Sequence, residues 1–304
     1  MVVRGLDRRR RHALLVVGPG FSSPRVLVLE ELVSSLEPRL ATLTSHAERA
    51  GGEQPPPDRH PHDAEHDAEN GRVQRSIASS EGGNTGVSIG GYYPDRSPFI
   101  FVEFFCSAWG GRAWSDGLDG NANLMANMSM PPVEITEAEQ PLRVLRTEFI
   151  QDVGGAGKYR GGASIRRDYE MLEEEAVLQV RSDRHDFRPY GLYGGSPGQP
   201  SQNVMNPGTE NRQLPGKLTM TMKRGDVFSH CSAGPGGWGD PLERDPARVA
   251  RDVKNEFVSR ARAREDYGVV FKGDGLEIDA AATTARRDEI RRRRGWTEPP
   301  VVSR

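Results

Sequence analysis

The sequence predicts an α+β fold made mostly of β-strands, and three observations carry that prediction. Of 35 glycines, 25 lie between Gly82 and Gly239, with short strand-like runs between them. Leu218, Met220 and Met222 alternate with Thr219, Thr221 and Lys223, the two-residue period of a half-buried strand. Beyond Asp245 the apolar spacing becomes helical. Short strands between so many turns favour a β-rich fold over a parallel α/β one.

Taken in order, residues 1–25 look irregular. Apolar residues at 29, 32, 33, 36, 40 and 43 mark one face of a helix over 26–43, with a kink or break at Pro38. Residues 51–70 hold Pro55-Pro-Pro57, Pro61 and a mix of His, Asp and Glu, a composition that cannot bury a core. Residues 1–75 therefore read as a poorly ordered extension with one amphipathic helix, and 76–245 as the β-rich domain. Strands are expected near 99–107, 142–150, 177–180, 218–222 and 226–229. A helical tail follows over 246–304. Asp245 caps its first helix, with Pro246 at the favoured first position. Val249, Ala250, Val253, Phe257 and Val258 line one face. Ser259 caps a short second helix to about Tyr267, and a third runs over 280–294.

Composition narrows the function classes. A net charge of −2 supplies no general attraction to nucleic acid or anionic membrane. Arg291–Arg294 reads as cations offsetting the dipole at a helix C-terminus, rather than as a nucleic-acid patch. No apolar run approaches the ~18 residues that span a bilayer. The apolar run after Arg8–Arg11 stops at Gly18-Pro-Gly20, short of the ~7–15 residues of a signal peptide. Cys106 and Cys231 make no disulfide framework and fit a reducing cytoplasm.

The motifs that carry chemistry lie in glycine-rich loops that also hold large side chains. These loops are 154–162, 188–195 and 234–246, with Tyr159, Tyr190, Tyr193 and Trp238 inside them. Glycine lets backbone approach backbone or ligand, and the aromatics supply buried area or a stacking surface. Tyr159, Tyr190 and Trp238 are accordingly candidate substrate contacts. Asp116 and Asp119 flank glycine in one turn, where two carboxylates either hold a cation or a polar substrate, or bond the local backbone. Arg184 offers a fork of donors to a carbonyl, carboxylate or acyl-phosphate oxygen, and His185 beside it titrates near neutrality. Arg184, His185 and Asp116 are the catalytic candidates. Glu134, Glu137 and Glu139 read as strand-edge or solvated charges. Cys106 reads as a buried inert thiol. His230 and Cys231, as neighbours in a strand, point to opposite faces and cannot act on each other.

Several motif matches fail on context. His62-Asp-Ala-Glu-His66 has zinc-protease letters, but it sits among prolines and acids with no apolar face, and with His60 it supports only weak metal binding. The glycines of 234–239 lie about six residues before the expected helix, too far for a dinucleotide loop. Gly157-Lys158 lacks the first glycine and the Ser/Thr of a phosphate loop. The chain thus offers no nucleotide site of its own.

The motifs from about 76 to 270 resemble the C-terminal part of the hydantoinase B/oxoprolinase family. The matching signatures are Ser115-Asp-Gly-Leu-Asp-Gly120, Met130-Pro-Pro-Val-Glu134 with Glu137 and Pro141-Leu142, and 154–162. They continue through Asp183-Arg184 to Gly195, Leu214-Pro-Gly-Lys217, Gly225-Asp226, 234–246 and Tyr267-Gly-Val-Val270. The resemblance implies a subunit of an ATP-dependent cyclic-amide hydrolase, of hydantoinase or 5-oxoprolinase type. ATP would bind a hydantoinase A-like partner subunit, and the substrate would be a small cyclic amide. Family members carry a His-rich, divalent-metal-binding segment in their N-terminal half, and no such segment stands in this sequence. The same signatures occur in ATP-dependent acetone- and acetophenone-type carboxylases, and a truncated member that only binds partners is the third expectation.

Overall fold

The computed structural model describes residues 76–303, apart from 84, 123–125 and 127. The chain divides into two units, 1–59 and 60–304, and every described residue belongs to the second. The expected helix over 26–43 and the acidic linker lie outside the described residues.

Two antiparallel sheets make the body. In the first, strands run in the order β2 (Pro98–Phe104), β1 (Gly86–Tyr92), β5 (Glu175–Arg181) and β9 (Lys217–Lys223). In the second they run β3 (Leu142–Phe149), β4 (Ile165–Met171), β10 (Val227–Cys231), β7 (Gln202–Met205) and β8 (Arg212–Leu214). A two-stranded ribbon joins β6 (Gly191–Leu192) to β11 (Val302–Ser303) near the C-terminus. The expected strands fall on β2, β3, β5, β9 and β10.

Alternation decides which side chains enter the core. β2 turns Phe99, Phe101 and Glu103 inward and leaves Ile100, Val102 and Phe104 exposed. β5 buries Ala176, Leu178 and Val180 in the same way. From the second sheet Leu142, Tyr169, Met171, Met205, Leu214 and Phe228 join Val87, Ile89, Phe101 and Met222 of the first in one cluster. The sheets are therefore two layers over a shared core, and each fully buried large side chain in it contributes about 1.5–3 kcal/mol.

Two strands escape the sequence reading for opposite reasons. β1 holds three glycines and so lacks strand-forming composition. β4 reads Ile-Arg-Arg-Asp-Tyr-Glu-Met, yet Arg167 and Asp168 are buried because each has an ionic partner. Residues 133–139 also differ from expectation: they form a short helix, α1 (Val133–Glu139). Its glutamates are solvated, and Glu137 accepts a bond from the Val144 N–H at 2.8 Å, covering one donor of β3.

The tail is helical as its caps dictate. Asp245 accepts from the Ala247 N–H and starts α2 (Pro246–Lys254). Ser259 accepts from the Arg262 N–H and starts α3 (Arg260–Glu265). Asp279 starts α4 (Ala280–Arg294), which ends at Gly295 with φ 71°. These helices enclose a second cluster of Ala156, Val249, Val258, Ala263, Tyr267 and Val269. No helix among the described residues is long and apolar enough to cross a membrane.

Candidate functional site

The glycine-rich loops stack backbone on backbone. Trp238 and Tyr159 exchange main-chain bonds at 2.8 and 3.0 Å, Gly155 N–H donates to Pro235 at 2.8 Å, and Leu192 N–H donates to Gly237 at 3.0 Å. A Cβ on Gly198 would stand 1.7 Å from the Gly234 carbonyl oxygen, so only glycine permits this approach. Within the layer, the Trp238 ring lies 5.3 Å from Tyr193 and 6.1 Å from Tyr159, and its Nε1–H donates to Ser76 at 3.2 Å. Tyr159 is buried here. Tyr190 stands exposed at the rim. Of the three aromatic candidates for substrate contact, Tyr190 is the most exposed, at 37%, and Tyr159 and Trp238 hold the loops together.

Beneath the layer lies a charged cluster that joins three stretches of chain. Asp116 accepts from Arg244 Nη1 at 2.5 Å and Nη2 at 2.9 Å, and from the Arg160 N–H at 2.9 Å. Asp119 takes both terminal nitrogens of Arg160, at 2.8 and 3.1 Å, plus the Ala163 N–H at 2.7 Å. Asp252 on α2 bridges the two arginines, at 3.2 Å to Arg160 Nε and 2.7 Å to Arg244 Nη2. Arg160 also covers the Phe257 ring at 4.7 Å. Burial opposes ionisation of Asp116, but the Arg244 bonds and the fields of both arginines outweigh it and hold this carboxyl below its usual range. Its lone pairs face arginines and backbone. In this structure Asp116 and Asp119 therefore serve as clamps, and neither lies open as a base.

Arg184 and His185 occupy the connection from β5 to β6. Asp183 accepts the Gly83 N–H at 3.0 Å, and Ser201 bonds the carbonyls of Asp183 and Arg184 at 2.7 and 3.0 Å. Arg188 anchors the far end through the Gly198 carbonyl at 2.7 Å. Arg184 adopts a left-handed φ of 61°, uncommon for a non-glycine residue. Its guanidinium makes no ion pair with a described residue. His185 pairs with Asp186 at 2.9 Å at the surface, and the neighbouring Phe187 is 80% exposed. No hydrogen bond or ion pair joins this loop to Asp116 or Asp119 among the described residues.

A third group was not anticipated. Where the sandwich core turns polar, Glu103 on β2 accepts from Arg167 on β4 at 2.5 Å, and Arg167 also reaches the Pro131 carbonyl at 3.3 Å. Burial pushes Glu103 up to about 7 although Arg167 pulls the other way, and pushes Glu81 up to about 8 against a single bond from Ser107. Burial holds His230 down to about 3, hence neutral. Its Nδ1 meets Asn203 Oδ1 at 2.7 Å. Cys106 is buried, and burial with the nearby Glu81 and Glu103 raises its thiol. The signal for Glu103 was present in the sequence: it keeps the parity of Phe99 and Phe101.

Among the described residues no group of three or more His, Cys, Asp or Glu could hold a metal ion. The His60–His66 segment lies outside them.

Compared with known proteins, residues 68–241 match the family model described as hydantoinase B/oxoprolinase. The chain belongs to the hydantoinase B/oxoprolinase family. An uncharacterised protein of Methanocaldococcus jannaschii is 35% identical over 215 residues, 70% of this chain and 37% of that protein. The B component of a putative D-/L-hydantoinase of Pseudomonas sp. (strain NS671) is 29% identical, over 71% of this chain and 36% of that one. The crystal structure of the ATP-dependent caprolactamase of Pseudomonas jessenii superposes with a TM-score of 0.56 at 27% identity, covering 74% of this chain and 40% of that chain. The chain thus spans well under half the length of these relatives. The family match takes in the sandwich and the glycine layer, with Asp116, Asp119, Arg160, Arg184 and Trp238. Arg244 and Asp252, which complete the charged clamp, lie beyond it.

Proposed function

We propose that this chain is a subunit of an ATP-dependent cyclic-amide hydrolase of hydantoinase or 5-oxoprolinase type, acting in the cytoplasm with a separate hydantoinase A-like subunit that uses ATP. The observation that carries the reading is the family match over the sandwich and glycine layer, together with likeness to the B component of a hydantoinase and to an ATP-dependent caprolactamase.

The chemistry explains the division of labour. Amide resonance makes a ring carbonyl a poor electrophile. Transfer of the γ-phosphoryl group to its oxygen gives an O-phosphorylated imidate. Water adds to that carbon, and the ring C–N bond breaks with a proton passing to nitrogen. The acyl phosphate that remains takes a second water to release phosphate and the free carboxylate. This chain has no phosphate loop, so ATP belongs to the partner, and the chain itself binds no cofactor. Its part is to orient the activated ring and stabilise charge building on oxygen. Arg184 suits that part: a permanent cation with forked donors, free of ion pairs with the described residues, on a loop pinned at both ends. His185 and Tyr190 flank it on the same loop. Among the described residues no group of three or more His, Cys, Asp or Glu is placed to hold a divalent ion.

The test is recovery of the chain from its host with its bound partners, followed by ATP-dependent assay on 5-oxoproline, hydantoins and small ketones. Ring opening with ATP consumption is expected. Bicarbonate-dependent ketone consumption would move the complex to the carboxylases, and recovery of no partner and no activity would leave a binding-only member.

A further inference from the structure

The polar end of the sandwich core has a hydrogen-bonding pattern of its own. Glu103 enters from the first sheet; Arg167, Tyr169, His230 and Asn203 enter from the second. Arg167 and His230 are direct cross-strand neighbours. Both His230 and Tyr169 pack on the Phe105 ring, at 4.7 and 6.2 Å. Arg167 lies 5.6 Å from the Tyr169 ring and bonds Glu103. Four polar atoms on these nine-tenths-buried side chains have no hydrogen-bond partner among the described residues: Glu103 Oε2, Arg167 Nε, Tyr169 Oη and His230 Nε2. A buried polar group left without a partner destabilises the fold, so each of these atoms calls for one.

Their donor and acceptor roles follow from their other bonds. Asn203 Nδ2 donates to Ser182 Oγ at 2.9 Å and to the Pro215 carbonyl at 3.1 Å. A carbonyl only accepts, so the amide orientation is fixed and Oδ1 is the atom that faces His230. Oδ1 in turn only accepts, so His230 Nδ1 carries the proton. In the neutral ring Nε2 is then a bare lone pair. Glu103, ionised above about 7, accepts at Oε2, Arg167 Nε–H donates, and Tyr169 Oη does either. Two acceptors, one donor and one hydroxyl of either role lie on side chains that touch one after another: Glu103 on Arg167, Arg167 over Tyr169, and Tyr169 with His230 on Phe105.

We propose that these four atoms form an internal site for a water molecule, which donates to His230 Nε2 and Glu103 Oε2 and accepts from Arg167 Nε and Tyr169 Oη. Four bonds match the two to four that buried waters make. An anion would meet a carboxylate and a lone pair, and a metal ion would lie against the guanidinium. The water ties one sheet to the other. It also completes a chain of hydrogen bonds from the Pro131 carbonyl through Arg167, His230 and Asn203 to Ser182, next to the Asp183–Arg184 loop.

The test uses the full chain. A high-resolution crystal structure should show a water oxygen within about 3.2 Å of His230 Nε2 and of Arg167 Nε or Glu103 Oε2. Long-range proton–nitrogen correlation spectra should find His230 protonated at Nδ1. Water relaxation dispersion should lose one slowly exchanging water in His230→Leu, and show faster exchange of that water in Tyr169→Phe, which keeps the ring and serves if the first variant does not fold. A site closed by direct side-chain bonds without water, a proton on Nε2, or an unchanged water count and exchange rate in the variants that fold would overturn the proposal.

Discussion

Glu81 and Arg184 show how far one side chain can depart from its usual setting. Glu81 is buried with its pKa pushed up to about 8, so the folded state keeps it neutral where the unfolded chain, near 4.5, is ionised. Below about 4.5 both states are protonated and the group has no effect on stability. As pH rises from there to about 8, only the unfolded chain loses the proton, so stability falls with rising pH and then levels. Glu103 acts in the same direction to about 7. Chemical denaturation of the wild type and Glu81→Gln between pH 5 and pH 8, inside this window, should give a shallower fall for the variant. Equal slopes would mean that Glu81 is ionised in the fold. Arg184→Ala should lower ring opening by the assembled enzyme about tenfold or more, the scale of one lost charge-assisted donor, with the melting temperature unmoved. An unchanged rate in the folded variant would remove Arg184 from the site.

At the scale of elements, a buried charged cluster ties the loops to the helical tail. Asp252 on α2 shares one carboxylate between Arg160 and Arg244, which in turn grip the turn of Asp116 and Asp119. Asp252→Ala would leave two buried guanidinium groups undercompensated, and a loss of about 3–5 kcal/mol is expected in urea unfolding. A loss under ~1 kcal/mol would show the cluster to be as weak as surface pairs. In the glycine layer, Gly198→Ala puts a methyl group 1.7 Å from the Gly234 oxygen, and both flanking segments are backbone. Destabilisation of about 3 kcal/mol is expected by thermal melting. A wild-type melting temperature would show that the loops can part.

At the scale of the whole molecule, the described part is one sandwich with a glycine layer and a helical tail in a single compact unit. It carries no phosphate loop, and the function proposed above divides the work between two chains. ATP turnover is therefore expected only when the partner subunit is added. Phosphate release by the purified chain alone would sink the proposal of shared work.

Much of this was legible in the sequence wherever the physics is local. Period-2 alternation located β9, caps at Asp245 and Ser259 placed two helix starts, and glycines with embedded aromatics marked the loop layer. Composition hid β1 and β4, because a glycine strand and a charged strand are stable only once neighbours supply side chains and counterions. The sequence by itself determined the family, the α+β class and the loops that matter, since those depend on residue type and spacing along the chain. Only the tertiary structure decided that Asp116 and Asp119 are spent on Arg244 and Arg160, and that Glu103, Arg167 and His230 meet inside the core. Charge pairing and desolvation act between residues up to 128 positions apart, and no periodicity in the sequence reports them.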